Sequence, residues 1–430
     1  MTPVAFGMAR SCLRVGTALV VTLGGSGSPI AQESIAGAEC LNVRDFGAIG
    51  DGKADDTTAL LEAITAAGKP EVPEGPSRPT TVFVPPGTYR VTKSIVLDPS
   101  MRLACLRGSG HLLPNGTWFA HCTIAWDGPE GEPLVDARGY AGLHIADLKL
   151  DGGGKASVVL RINSVPGVGT SQFRVERVFL DNADIGVELG ADMDMCASDM
   201  TFEDVLIDNM KTCGVHARQF QQVDYVFLRC SVSHAPIGFR FPTGGSTHFV
   251  LPTFFAVDTC FELGGGVNNG SYSITGMFLE RGSLSDPEKR MVILRASGEA
   301  NVAISGIQTG CQNVFGATAD LSTPNFVLGA AAQVTVRDSI LSGKTAALTG
   351  SNGPPTWIQF DNCRFTRGAD PRADVDRDEF SGFELRNCSI TVDDTRGEEY
   401  RQLRNDFVPH FARYPKQTVP EESADPPVAP

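Results

Sequence analysis

Four ionisable residues recur at one position of a short repeated strand. The segments GVEL from Gly186, GVHAR from Gly214, GFRF from Gly238 and CFEL from Cys260 each place a polar side chain two residues after a small one. Those side chains are Glu188, His216, Arg240 and Glu262. Their neighbours Val187, Leu189, Val215, Ala217, Phe239 and Phe241 are apolar. Alternate residues of a strand face opposite sides, so the apolar set points to a core and the polar set outward. Stacked strands would hold the polar set about 5 Å apart, the scale of a sugar chain. Arg218 shares the face of His216.

A second polar row sits at the trailing turn of the preceding strands: Asp151, Asp181, Asp208, Ser233-His234, Asp258 and Glu280-Arg281. Asp184 and Lys211 open the strands that follow. These residues suit two chemistries. β-Elimination from a uronic acid needs its carboxylate neutralised, the adjacent proton removed and the leaving oxygen protonated. Arg240 or Arg218 would neutralise; His216, His234 or Lys211 would be the base. Inverting hydrolysis needs two carboxyl groups about 6.5–9.5 Å apart, and Glu188 with Glu262, or Asp258 with Glu280, are the pairs on offer. Against both stands the plain reading of outward charges as solvated decoration. In that reading Glu280-Arg281 is a surface ion pair and Asp181 and Asp208 hold turns.

No cofactor is expected. Asp192 and Asp194 are the one close acidic pair outside the N-terminal region, and two carboxylates fall short of the six to eight oxygens that Ca²⁺ takes as a rule. No C-x-x-C pair suggests zinc. The run Gly264–Gly266 reads as a loop, since no phosphate-binding Lys-Ser/Thr follows.

What must position these residues is a repeat. Ten segments share an apolar-x-apolar-x-x-apolar-x-apolar pattern, among them LHIADLKL from Leu143, FRVERVFL from Phe173, YVFLRCSV from Tyr225 and IQFDNCRF from Ile358. Each is two short strands hinged at a polar pair such as Ala146-Asp147 or Asp361-Asn362. One such unit cannot bury its apolar face alone, whereas stacking them builds a continuous core. The fold expected is all-β, a right-handed single-stranded parallel β-helix over residues 39–399. Asp55–Ala67 reads as an amphipathic helix with an Asp N-cap and a Gly stop, capping the first coil. Residues 400–414 would cap the other end. The Pro-rich acidic residues 415–430 read as a disordered tail.

The net charge of −14 argues against nucleic acid and against an anionic membrane surface. Residues 1–38 read as a secretory signal: Arg10 and Arg14, then the apolar run Val15–Leu23, then small-residue cleavage sites near 31 or 38. The run is too short to span a bilayer. A secreted or periplasmic protein follows. The 11 cysteines fit an oxidising compartment, with Cys105/Cys122 and Cys196/Cys213 as local pairs and buried free thiols as the alternative.

The stretch LNVRDFGAIGDGKADDTTALLEAITAA from Leu41, followed by TVFVPPGTYRVTKSIVL from Thr81, resembles the N-terminal signature of the pectate lyase superfamily. That group includes pectin hydrolases and phage tailspike depolymerases. The resemblance implies a β-helix that handles carbohydrate, with a homotrimer as one arrangement open to it. NADIGVEL from Asn182 is similar to the N-x-D element of the pectin hydrolases and places Asp184 on their first carboxylate. Lys211-Thr212 stand before Cys213 where that family has Asp-Asp, and His234 is only near its Gly-His-Gly. Function is thereby expected to be that of an extracellular polysaccharide lyase or glycosidase. A non-catalytic glycan-binding or exopolysaccharide-assembly scaffold is the alternative, and an epimerase would share proton abstraction with the lyase. The polar column favours an enzyme because its flanking coils offer Val158–Leu160 and Val292–Leu294 instead.

Overall fold

The computed structural model describes residues 40–67, 80–98, 103–110, 121–190, 197–218, 222–266, 268–280, 282–286, 290–309, 322–351, 353–366, 375–394, 397–402 and 407–408. The signal segment, the tail and most of the expected C-terminal cap lie outside these, as do Asp192, Asp194, Cys196 and Arg281.

The chain is a right-handed parallel β-helix. Among the described residues one α-helix is present, Thr57–Ala67. It begins two residues later than the sequence suggests. Asp55 accepts the amide of Thr57 at 3.1 Å, while the carboxylate of Asp56 takes the amides of Ile49 and Gly50 at 2.7 and 3.1 Å. The Gly-rich turn is thus tied to the helix start. Leu60, Ala63 and Ile64 are fully buried, so the helix covers the end of the core.

Each of the ten repeated segments bends at a single residue with positive φ: Asp147, Arg177, Asp204, Arg229, Leu251, Gly276, Gly306, Asp338, Asn362 and Asn387. One left-handed residue turns the chain without a loop, and Asp, Asn and Gly tolerate that conformation best. A second left-handed row, Asn182, Asn209, His234 and Ala256, turns the chain again into the strands that carry the ionisable column. Those strands are β1 (Val135–Arg138), β2 (Val158–Asn163), β3 (Arg174–Leu189), β4 (Leu206–Ala217), β5 (Ser231–Phe241), β6 (Thr253–Gly264), β7 (Val292–Ser297) and β8 (Phe326–Leu328). Each pairs in parallel with the next.

Inside, identical positions of successive coils stack on one another. Phe202 lies on Phe227 with ring centroids 4.7 Å apart, Phe227 on Phe249 at 5.3 Å, and Phe239 on Phe261 at 5.5 Å. Stacked aromatics add about 0.5–1.5 kcal/mol per pair beyond area burial. Val187, Leu189, Val215, Ala217, Phe239 and Phe241 all point inward and are fully buried.

Gly186, Gly214 and Gly238 stack where the side chains of the preceding strand segment press closest. A Cβ on Gly214 would stand 2.7 Å from the Gly238 carbonyl oxygen and 2.8 Å from Val232. Gly214→Ala is therefore expected to destabilise the chain by about 1–3 kcal/mol through overpacking, read as a lower unfolding midpoint in urea.

The expected Cys105/Cys122 disulfide is absent; both carry free thiols. Cys105 lies on a strand paired with Thr81 and His144, Cys122 on one paired with Gly87, so the two belong to different sides of the coil. Cys213 is a buried free thiol.

Candidate functional site

Strand register places Glu188 beside His216, His216 beside Arg240, and Arg240 beside Glu262. The four share one outward column. It does not stop there. Glu188 is preceded by Arg161 and Asp136, and Glu262 is followed by Arg295. Val96 and Val327 end the row. Seven polar residues thus stand on consecutive coils over about 30 Å. The expected contrast with Val158–Leu160 and Val292–Leu294 is overturned, because register aligns Arg161 and Arg295 with the column. Those two strands lack the glycine that marks β3, β4 and β5. The signal that could have found Arg161 is its flanks, Leu160 and Ile162, which are buried as Val187 and Leu189 are.

The column alternates in charge. Asp136 is buried and receives Arg138 Nε at 2.8 Å. Glu188 is 2% exposed, and its two oxygens are held by Arg161 Nε at 2.7 Å and Arg218 Nε at 2.9 Å. Arg240 Nη2 meets Glu262 at 3.2 Å. Arg295 Nε donates to Thr259 at 3.2 Å. Five guanidiniums face three carboxylates on a chain whose net charge is −14. The groove is a locally cationic stripe on an acidic protein, so it can draw in anions that the rest of the surface repels. Beside its C-terminal end Glu262, Arg295, Ser297 and Pro242 line an open cleft of about 310 Å³.

His216 lies between Arg218 and Arg240. Burial, then Arg218, then Arg240 push its pKa down to about 4. The imidazole is neutral at physiological pH. Arg218 Nε also approaches His216 Nδ1, at 3.3 Å, so Nδ1 is an acceptor and the ring hydrogen resides on Nε2. In this arrangement the open nitrogen of His216 is the donating one. With the folded pKa below the ordinary 6.5, the unfolded chain takes the proton first as pH falls. The stabilisation from His216 is complete above about pH 6.5 and is lost as pH falls toward 4. A ring-proton NMR titration should show no His216 transition near pH 6.5. The gap in unfolding midpoint between wild type and His216→Gln should shrink from pH 7 to pH 4.5.

The remaining expected residues fall elsewhere. In β4 one extra residue breaks the register between Asp208 and Cys213. This bulge turns out Lys211, whose Nζ meets Asp184 at 3.0 Å and the Gly154 carbonyl at 2.8 Å. Lys211 is thereby held between the Asp184 carboxylate and the Gly154 carbonyl. His234 occupies the bend itself, with Nδ1 2.7 Å from Asp208 and its ring edge-on to Phe255. The second row runs Asp151, Asp181, Asp208, Ser233, Phe255 and Glu280. Asp258 is outside it, accepting from Ser283 Oγ at 2.5 Å and the Ser285 amide at 2.7 Å to anchor a loop. Glu188 and Glu262 are three coils, about 14 Å, apart, beyond the separation that inverting hydrolysis uses. Among the described residues no group of three or more His, Cys, Asp or Glu could hold a metal ion, and no helix is long and apolar enough to cross a membrane.

Coil architecture and outward polar column define a right-handed parallel β-helix. Residues 40–110 match the family model described as rhamnogalacturonase A/epimerase, pectate lyase-like. The mannuronan C5-epimerase AlgE1 of Azotobacter vinelandii is 25% identical over 288 residues, 62% of this chain and 18% of that protein. Alginate lyase 7 of the same organism is 51% identical over 51 residues, 12% of this chain and 5% of the other. A probable glucan endo-1,3-β-glucosidase of Arthroderma benhamiae is 44% identical over 57 residues, 13% and 6% of the two chains. The chain thus spans less than a fifth of the length of these relatives. The catalytic unit of the GH87 α-1,3-glucanase of Streptomyces thermodiastaticus shares the fold at a TM-score of 0.50 and 15% identity, covering 85% of this chain and 72% of that one.

Proposed function

We propose that the chain is an exported polysaccharide-active enzyme that works by abstracting the proton next to a uronate carboxylate, as a lyase does. The observation that carries this reading is a neutral imidazole set between two guanidiniums on an outward column. A sugar carboxylate bridging Arg218 and Arg240 would have its charge neutralised in a partly buried site, which acidifies the adjacent C–H. The same contact would release Glu262 from Arg240. Glu262 is 37% exposed at the side chain and one coil away, within reach of that proton. The His216 Nε2–H then hydrogen-bonds to the oxygen that departs as the C–O bond breaks and the C=C bond forms; that oxygen takes its proton from water, and Glu262 returns the abstracted proton to solvent. Epimerisation would share the first step and return the proton to the other face. The likeness to a mannuronan C5-epimerase and to an alginate lyase supports this class, and the wide spacing of Glu188 and Glu262 disfavours inverting hydrolysis between them. The first 38 residues serve as the export signal in this reading.

A glycan-binding scaffold is the second reading. It is favoured by one observation: all three column carboxylates are already ion-paired. Incubation of the full chain with acidic and neutral polysaccharides separates these readings. Ultraviolet absorbance from a new C=C bond, rising with reducing ends, is the expected result. Reducing ends alone would indicate hydrolysis and sink the proton-abstraction mechanism. Binding to acidic glycans without turnover would establish the scaffold.

A further inference from the structure

The residue directly after each left-handed bend points into the core, and these residues stack coil upon coil. Along most of the solenoid the stack is mixed: Cys230, for example, lies between Val205 and Pro252. At its C-terminal end two cysteines become neighbours. Asp361 is in register with Arg386 and Arg364 with Ser389, so Cys363 and Cys388 occupy equivalent positions one coil apart. Both are buried, at 2% and 1% exposure, and both are thiols. Each donates to carbonyls of its own and the preceding coil, Cys363 to Val336 at 3.4 Å and Cys388 to Phe360 at 3.5 Å. Both sulfurs therefore lie over the same edge of the stack.

We propose that Cys363 and Cys388 are a disulfide site that staples the last coils of the solenoid when the chain meets an oxidising disulfide. In-register residues of adjacent parallel strands have Cα atoms about 4.8 Å apart, inside the roughly 4.4–6.8 Å that disulfides span. Cys388 sits one coil nearer the C-terminal end than Cys363, so it is the first of the two to meet the oxidant when the terminal coil opens. With glutathione disulfide as oxidant, the Cys388 thiolate attacks one glutathione sulfur and displaces the first glutathione thiolate. The Cys363 thiolate then attacks Cys388 in this mixed disulfide and displaces the second. Two electrons pass to glutathione, and the two cysteine protons end on the released glutathione thiols. Because both sulfurs are buried, exchange belongs to folding or to opening of the terminal coil. The bridge closes a loop of one coil, restricting the unfolded chain most where a solenoid lacks a following neighbour.

The test refolds the full chain in a glutathione redox buffer, blocks remaining thiols with iodoacetamide, and maps the digest by mass spectrometry. A cross-linked peptide pair containing Cys363 and Cys388 is expected in most molecules. Backbone amides of residues 381–386 should then exchange hydrogen at least about tenfold more slowly than in the reduced chain. Both cysteines alkylated in chains that have refolded, by the same circular-dichroism signal, would overturn the proposal. A second check is Cys363→Ser/Cys388→Ser, which should abolish the redox dependence of exchange. The mapping of the unaltered chain decides the question even where that variant folds poorly.

Discussion

Arg240→Ala is expected to lower kcat/KM on an acidic polysaccharide by about 10²–10³-fold, with little change in the unfolding midpoint. Arg240 is in register with His216 on one side and Glu262 on the other, and it reaches Glu262 at only 3.2 Å. Its stabilising contact is thus modest, since a half-exposed ion pair contributes about 0–1 kcal/mol. Its Nε is buried with no partner among the described residues, a donor waiting for an acceptor. In the proposed reaction that acceptor is the substrate carboxylate, whose charge grows toward the enolate as the proton leaves. Loss of one such donor usually raises the barrier by about 2.7–4 kcal/mol. Arg240→Lys should restore part of the rate, because an ammonium supplies charge without the planar fork. Initial rates of ultraviolet absorbance decide this. If Arg240→Ala acts within threefold of wild type, the carboxylate is bound elsewhere.

Glu188→Gln is expected to act differently, lowering stability by about 1–3 kcal/mol and activity by about 10–100-fold together. The sequence presents Glu188 as a candidate acid. Its surroundings make it a clamp: it is 2% exposed and both oxygens are taken by guanidiniums. The amide keeps the volume but is neutral and accepts at only one oxygen, so Arg161 and Arg218 both lose a charged partner and one of them loses its acceptor. Arg218 then no longer holds His216 in its donating tautomer. A double-mutant cycle with Arg218→Ala should show strong coupling in urea unfolding, since the two residues share one contact. A catalytic acid would instead give a large loss of rate with an unchanged unfolding midpoint, and that outcome would return Glu188 to the chemistry.

Much of this was legible from residue types and spacing. The period of the apolar pattern specifies stacked coils, because each unit leaves an apolar face that only another unit can cover. The polar pair at the middle of each segment marks the bend, since few residues tolerate positive φ. Glycines at one position align Glu188, His216 and Arg240, because only a residue without Cβ fits beneath the neighbouring coil. Where that marker was missing, at Arg161 and Arg295, the alignment slipped by a residue, and in a strand a slip of one exchanges the inward and outward faces.

Alternation and repeat period are local properties of the chain, and they specify the solenoid, its capping helix and the outward column. The contacts that each member of the column makes arise only once the coils are stacked. The bulge that sends Lys211 to Asp184, the two guanidiniums that close on Glu188, and the burial that keeps His216 neutral all arise between coils. The partners in these contacts are mostly about one to two coils apart in sequence. Proton affinity and hydrogen-bond roles depend on those through-space neighbours, which no single coil contains.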